Sequence, residues 1–443
     1  MNYTEPSYRA EIDGLRAIAV VSVILYHTQI VMFGRDWFEG GFIGVDIFFV
    51  ISGYLISRII IYEFQNKGSF SFVNFYERRA RRIIPMLFLV IFVSLPYAWL
   101  KLLPSDFVEF AESILATVFF GSNFFFYIKA SAYGADSSLL KPFLHTWSLG
   151  VEEQFYLVFP FIAIIAFRFF RQHFLTILVG LFLLSLQFAE LRTSMFAFYL
   201  PFSRFWELAI GSMLAYGELN YKIFNKGIGR RIFPMLGLYL IAYSLLFFDS
   251  KTPHPSFHTL IPIIGVTLII GFSSKDELVG KLLGGKLFVW IGLISYSAYL
   301  WHFPILAFAR QETIYLTNIQ KIECISITFI LSIISFLFVE RPFRSARSIK
   351  SRTFLVLTSS CMAIIVLICS FIATGLIKSP NSTAIDKLLD RNAYEEEFVE
   401  FELGYDYSVK DNGKKNLLIV GNSHAEDFLK VLSFSYLDEE FNL

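Results

Sequence analysis

The chain has 443 residues, of which 55% are hydrophobic and only 17% are charged. Soluble domains carry roughly 25% charged residues, so this composition excludes a water-soluble globule, a disordered chain and a collagen-like chain. Lysine plus arginine (38) almost balances aspartate plus glutamate (37), which leaves a net charge of +1. A nucleic-acid partner would require a strongly basic surface, so no such partner is predicted.

Long apolar segments predict an all-α, multi-pass membrane protein. A membrane-spanning helix needs about 20 mainly apolar residues. Eleven segments meet this requirement: 14–33, 42–62, 83–103, 153–170, 173–190, 195–217, 232–249, 259–273, 287–308, 319–339 and 353–375. The stretch 107–127 is also apolar, but acidic residues line its start, and we predict it to be re-entrant or interfacial.

Basic residues sort the predicted loops into two groups. With the N-terminus inside and 107–127 not spanning, the inside loops hold 19 basic and 6 acidic residues, whereas the outside loops hold 7 and 9. Cytoplasmic loops are enriched in lysine and arginine. This distribution predicts that the N-terminus lies in the cytoplasm and that the chain leaves its eleventh span on the outer side.

Ionisable side chains interrupt the first two spans, at a cost of about 2.5–3.5 kcal/mol each on insertion, and such groups are often functional. Arg16 and His27 lie three helical turns apart, so they project from one face about 16 Å apart along the axis. Structural alternatives are a charge anchor for Arg16 and a packing role for His27. Asp46 needs a partner, and we predict His27, because a histidine held by a carboxylate is a general base. Arg204 and Glu207, three residues apart, predict an internal ion pair.

A dense basic cluster occupies residues 75–85, where Arg78, Arg79, Arg81 and Arg82 follow one another closely. One interpretation is a topogenic patch or a contact with anionic lipids. Alternatively, arginines spaced three apart on a helix can grip phosphates, which would suit a nucleotide-bearing ligand in the cytoplasm.

Two further motifs carry polar residues at the predicted outer side. Residues 143–156 contain His145, Trp147, Glu152 and Glu153, a combination that indicates a polar site with an aromatic platform for a sugar. Interfacial tryptophans are also common without any such role. The stretch 296–304 places a second intramembrane histidine, His302, in the outer half.

Five motifs follow one another over roughly residues 8–345: Arg16 with His27, Gly44-Val45-Asp46-Ile47-Phe48-Phe49-Val50-Ile51-Ser52-Gly53-Tyr54, Phe75-Tyr76-x-Arg78-Arg79-x-x-Arg82, His145-Thr146-Trp147-Ser148-Leu149-x-Val151-Glu152-Glu153-Gln154-Phe155-Tyr156, and Tyr299-Leu300-x-His302-x-Pro304. Together they resemble the membrane acyltransferase family 3, which includes bacterial O-antigen acetylases and peptidoglycan O-acetyltransferases. The resemblance implies transfer of an acyl group, usually acetyl from cytoplasmic acetyl-CoA, to a hydroxyl of an extracytoplasmic glycan such as lipopolysaccharide. It also implies the bacterial cytoplasmic (inner) membrane, with the bilayer, acyl-CoA and the glycan acceptor as partners.

The resemblance also implies roles for particular residues. His27 would be the catalytic histidine and Arg16 its essential partner, while Arg79 and Arg82 would form the pair near the acyl-CoA. His27 would deprotonate the acceptor hydroxyl or carry the acyl group covalently, and the sequence does not separate these two routes. The other predicted catalytic residues are Asp46, Glu152 and Glu153, the candidates for the acceptor site are His145, Trp147 and His302, and no metal is predicted.

The tail after residue 375 differs from the rest, with 14 acidic and 7 basic residues in 376–443. We expect a linker over 376–415. Residues 416–443 resemble the opening block of an SGNH hydrolase-like domain, with Ser423 as the nucleophile. Because the blocks that supply its base are absent, and a serine without a base is a weak nucleophile, we expect no independent esterase activity. The predicted organisation is therefore an acyltransferase domain (8–345), a further span (353–375), the linker and the start of that domain.

An alternative from another class is a proton-coupled transporter or permease, because buried histidine, aspartate and glutamate also form proton relays. Transporters tend to contain internal repeats with paired broken helices. No repeat relates the two halves of this sequence, which favours the enzyme.

Overall fold

A computed structural model describes residues 8–32, 35–131, 137–191, 195–221, 229–313, 315–345 and 348–380, and the backbone at 415–416 and 441–442. Residues 1–381 form one compact unit and 382–443 a second. In the second, Lys415–Asn416 pairs in parallel with Phe441–Asn442. Ser423 lies outside the described residues, as do most of the predicted linker and of the segment 416–443.

The first unit is built from α-helices, as expected for apolar segments that must satisfy their own backbone hydrogen bonds in a bilayer. The helices of its first half are α1 (Ala10–Thr28), α2 (Ile43–Lys67), α3 (Phe72–Lys101), α4 (Pro104–Val118), α5 (Ser122–Ala130), α6 (Thr146–Phe169), α7 (Phe174–Leu191), α8 (Met195–Tyr199) and α9 (Phe205–Tyr221). A two-residue hairpin, β1 (Val31–Met32) with β2 (Arg35–Asp36), follows α1.

The second half continues the same architecture. Its helices are α10 (Gly229–Phe247), α11 (Leu260–Phe272), α12 (Leu278–Leu283), α13 (Lys286–Leu293), α14 (Ser295–Glu312), α15 (Asn318–Ser335), α16 (Arg341–Arg344) and α17 (Ser351–Ala373). A π-helical turn, Phe336–Glu340, joins α15 to α16. The fold is therefore an all-α, multi-pass membrane architecture, as predicted.

Fewer helices qualify as spans than the eleven predicted. Within the described ranges, seven helical segments are long and apolar enough to cross a membrane, and α13 with α14, bent by 62°, would make an eighth. The first predicted span, α1, has 19 residues but carries Glu11, Asp13 and Arg16 in its first two turns. The predicted span 195–217 is interrupted at 200–204, between α8 and α9. The count of eleven and the sidedness stay predictions.

The stretch 107–127 is not one long helix. It is divided between α4 and α5, which have 15 and 9 residues. Phe120, at the break between them, has a positive φ of 55°. Neither helix alone reaches the length that a span requires.

Close backbone packing fixes α2, which carries several of the motif residues. A Cβ atom at Gly53 would lie 2.0 Å from the carbonyl oxygen of Leu208, and one at Gly211 would lie 2.2 Å from that of Val50. Only glycine allows α2 and α9 to approach so closely. The helix α1 packs against α2, α13 and α14, so the motifs on these helices lie around one centre.

Candidate active site

A cavity of about 80 Å³, here called the arginine chamber, lies between α1, α2, α3, α6 and α14. Its charged lining residues are Arg16, Arg79, Arg82 and Glu152. The remaining wall is divided equally between aromatic and aliphatic side chains, with three serines. Four residues predicted for the site from three motifs are thus brought together in one cavity.

The basic cluster on α3 is divided between two environments. Arg79 and Arg82, one turn apart, line the arginine chamber. Within the described residues, neither has a carboxylate within 4 Å, and Nε of Arg79 is buried without a hydrogen-bond partner. Arg78 and Arg81 instead pair with glutamates outside the chamber, at 3.8 and 2.8 Å. Unpaired guanidinium groups in a buried cavity are typical of a site for an anionic ligand.

The paired carboxylates of α6 also differ from each other. Glu152 lines the arginine chamber and accepts a 2.8 Å hydrogen bond from Oγ of Ser52 on α2. Glu153 does not line the chamber, and its Oε1 is buried without a partner in the described part of the chain. Arg16 completes the charged lining and is held at 2.8 Å by Asp13, one turn earlier on α1.

Three histidines lie together in what we call the histidine cluster: His27 on α1, His302 on α14 and His145 directly before α6. Nδ1 of His27 lies 3.0 Å from Nε2 of His302, and their rings stack at 5.2 Å. The ring of His145 lies 5.3 Å from that of His302. The predicted catalytic histidine therefore contacts one of the predicted acceptor-site residues directly.

Tyr299 connects the arginine chamber to the histidine cluster. Its ring lines the chamber and lies 5.3 Å from the rings of both His145 and His302. Its hydroxyl donates to the carbonyl oxygen of His145 at 2.8 Å and lies 2.6 Å from Oγ of Ser148. One tyrosine thus forms part of the wall between the two sites.

Arg310, on α14, is a site residue that sequence reasoning missed. Its Nη2 donates to the carbonyl oxygen of His27, while its Nη1 is buried without a partner among the described residues. An arginine near the end of a helix looks like a charge anchor in sequence. Only the packing of α14 against α1 reveals that it reaches the end of α1.

The predicted pairing of Asp46 with His27 is wrong. Asp46 accepts from Nη1 of Arg204 at 3.1 Å, and its Oδ2 lies 2.9 Å from Nε2 of His254. Arg204 also pairs with Glu207 at 3.1 Å, which confirms the predicted internal ion pair. We call these four residues the aspartate cluster. Helix rotation explains the error, because α2 turns Asp46 towards α9 rather than towards α1, and its assignment as a catalytic residue stays a prediction.

Trp147 packs beside the aspartate cluster. The Arg204 guanidinium lies 5.3 Å from its ring, and Phe198 lies 4.6 Å from it. The side chain is only 6% exposed. Its predicted role as a platform for an acceptor sugar stays a prediction.

The fold and site define a class: a multi-pass membrane protein whose interior combines guanidinium groups suited to an anion with clustered imidazole bases. In the described part of the chain, no group of three or more His, Cys, Asp or Glu side chains is placed to hold a metal ion. The guanidinium and imidazole groups can supply anion binding, proton transfer and nucleophilic attack by nitrogen.

Comparison with known proteins identifies the family. Residues 9–339 match the model described as "Acyltransferase domain", and the chain belongs to this family. It is 31% identical over 362 residues to the peptidoglycan O-acetyltransferase OatA of Listeria monocytogenes, covering 76% of this chain and 56% of that protein. It is 29% identical over 414 residues to the O-acetyltransferase OatA of Staphylococcus aureus, covering 84% and 63%.

The chain thus spans about 60% of the length of these relatives. No solved structure matches it. Membership of an acyltransferase family favours the enzyme over the transporter alternative.

Proposed function

We propose that the chain is a membrane O-acyltransferase that moves an acetyl group from cytoplasmic acetyl-CoA to a hydroxyl of an extracytoplasmic cell-surface polysaccharide. The observation that carries this proposal is that α1 contributes a residue to both the arginine chamber and the histidine cluster. Arg16, on this helix, lines the arginine chamber, and His27, three turns later, lies in the histidine cluster about 16 Å away. One helix thus joins an anion-binding site to a base, and the names of the relatives support O-acetyl transfer within the cell envelope.

The chemistry of the arginine chamber suits the acyl donor. The phosphates of acetyl-CoA are anions, and Arg79 and Arg82 offer guanidinium groups that have no carboxylate within 4 Å in the described structure. The apolar part of the chamber lining suits the acylated chain of the donor. The nucleotide would remain at the mouth, on the side predicted to face the cytoplasm, with the thioester directed inwards.

The chemistry of the histidine cluster suits the acceptor. In one route, Nε2 of His27 removes the proton of the acceptor hydroxyl while that oxygen attacks the thioester carbonyl. The carbon–sulfur bond breaks, and the imidazolium returns the proton to the departing thiolate. In the other route, Nε2 attacks the carbonyl and the carbon–sulfur bond breaks, which releases the thiolate and leaves the acyl group on Nε2. The acceptor hydroxyl then attacks this acyl group, the carbon–nitrogen bond breaks, and the hydroxyl proton neutralises the thiolate. Either route requires a lone pair on Nε2.

The test is transfer of radiolabelled acetyl from acetyl-CoA to cell-envelope glycan in membrane vesicles. His27→Ala should lower the rate on the order of 10²-fold or more, the usual contribution of a catalytic base. The matched control is His173→Ala, since His173 is exposed in the short helix before α7 and should leave transfer unchanged. Unchanged labelling by a normally inserted His27→Ala protein would overturn the proposal.

A further inference from the structure

The hydrogen bond made by Nδ1 of His302 indicates which ring nitrogens of His302 and His27 carry a hydrogen. Nδ1 of His302 lies 2.6 Å from the backbone carbonyl oxygen of Tyr299. A carbonyl oxygen only accepts, so Nδ1 of His302 must carry a hydrogen and donate it. The side chain is completely buried, which favours the neutral ring with a single ring hydrogen.

The tautomer of His302 determines the tautomer of His27. A neutral imidazole with a hydrogen on Nδ1 has a lone pair on Nε2. That nitrogen of His302 lies 3.0 Å from Nδ1 of His27, so Nδ1 of His27 must be the donor. The second nitrogen of His27, Nε2, is then left without a hydrogen and makes no hydrogen bond with any described residue.

We propose that His302 is a positioning residue that fixes the tautomer of His27 and keeps the lone pair on its Nε2, through the chain Tyr299 carbonyl, His302, His27. This rests on the proposed function, because the tautomer matters only if His27 acts as base or nucleophile. In serine proteases a carboxylate holds the histidine in this manner. A neutral imidazole does so in the interior of a membrane without placing an ionised carboxylate beside the catalytic ring.

The third histidine of the cluster does not share this role. Both ring nitrogens of His145 are buried without hydrogen-bond partners in the described structure, and its ring stacks on Phe303 at 5.4 Å. It contacts His302 by ring packing at 5.3 Å and makes no hydrogen bond with either histidine of the pair. The hydrogen-bonded relay consists of His302 and His27.

The test compares two substitutions at His302 that differ in whether they leave a hydrogen-bond acceptor for Nδ1 of His27. His302→Leu removes the acceptor for Nδ1 of His27, whereas the amide oxygen of His302→Gln lies close to the position of Nε2 and preserves it. We expect His302→Leu to lower kcat on the order of 10²- to 10⁴-fold, the range for a misoriented catalytic base, with KM for acetyl-CoA unchanged. His302→Gln should recover most of that loss.

The tautomer itself is measured without activity. ¹⁵N-histidine NMR of the full chain in lipid nanodiscs distinguishes protonated from unprotonated ring nitrogens, and His27→Ala assigns the signals. We expect Nε2 of His27 to be unprotonated in the wild type and in His302→Gln, and the two tautomers to be mixed in His302→Leu. His173→Ala should leave the spectrum of His27 and the rate unchanged.

The outcomes separate this inference from the proposed function. If His302→Leu leaves the tautomer of His27 and kcat as they are, or if Gln is as damaging as Leu, the positioning role is overturned. If the tautomer depends on His302 but His27→Ala still transfers acetyl, the positioning role holds and the proposed function fails.

Discussion

The protein contains two buried groups of charged residues that differ in whether their arginines are paired with carboxylates. In the aspartate cluster, Arg204 is shared between Asp46 and Glu207, and all three side chains are fully buried. In the arginine chamber, Arg79 and Arg82 face a cavity and have no carboxylate within 4 Å in the described residues. In the aspartate cluster the charged side chains pair with one another, whereas in the arginine chamber two arginines face a cavity, which is typical of a site for an anionic ligand. The comparison teaches that the pairing of a buried charge, more than its presence, indicates function.

The largest effect should come from breaking the ion pairs of the aspartate cluster. Arg204→Leu leaves Asp46 and Glu207 buried without their cation, which should cost about 3–5 kcal/mol of unfolding free energy. Thermal unfolding of the detergent-solubilised protein measures this. A triple variant that also contains Asp46→Asn and Glu207→Gln should recover most of the loss, because no charge is left unpaired. If the triple variant is as unstable as the single one, charge balance is not what holds the cluster together.

An intermediate effect should come from removing the two arginines of α3 that line the arginine chamber. Arg79→Ala and Arg82→Ala should each weaken acetyl-CoA binding by about 10- to 100-fold, the equivalent of one lost hydrogen bond to a charged group of about 1.5–3 kcal/mol. Stability should hardly change, since neither arginine holds a carboxylate. Equilibrium binding of radiolabelled acetyl-CoA to the purified protein measures the change.

Arg78 offers a matched control for this experiment. It lies on the same turn of α3, is exposed and is 3.8 Å from Glu63, outside the arginine chamber. Arg78→Ala should therefore bind acetyl-CoA almost as the wild type does. Equal weakening by all three substitutions would mean that the overall basic charge of α3, and not the chamber, attracts the ligand.

The smallest effect should come from loosening one hydrogen bond in the arginine chamber. Ser52→Ala removes the donor to Glu152 and should cost about 0.5–1.5 kcal/mol. Ser57→Ala, on the same helix, removes a 2.7 Å bond to Ser212 between α2 and α9. Both should lower the unfolding temperature slightly, but only Ser52→Ala should reduce acetyl transfer in vesicles. A matching loss of transfer in Ser57→Ala would show that α2 responds as a whole.

Sequence reasoning identified the helices and many of the site residues, because apolar length and polar interruptions are local properties. Arg16, Arg79, Arg82 and Glu152 were singled out from three separate motifs, and all four line one cavity. The separate roles of Arg78 and Arg79 were beyond the sequence. Adjacent arginines project about 100° apart on a helix, and which direction leads to a cavity depends on the neighbouring helices.

The main error in the predictions concerned which side chains contact each other between helices. The sequence offered His27 as the partner of Asp46 because both were predicted in the outer halves of consecutive spans. The structure pairs His27 with His302, about 275 residues away, and Asp46 with Arg204, about 158 residues away. Such contacts follow from the rotation and order of the helices, which a single sequence does not specify. His254, which lies in a loop and contacts Asp46, carried no motif that could have drawn attention to it.

The walls of the arginine chamber come from distant parts of the sequence, and this affects how the protein is made. Arg16 emerges on the first helix, but Tyr299 follows almost 300 residues later. At about 5–20 residues per second, ribosomes need roughly 15–60 s to cover that distance. During this interval the polar side chains of α1, α3 and α6 are in or near the bilayer before α14 closes the cavity over them. Nascent chains interrupted before α14 would expose intramembrane charges that the complete cavity encloses.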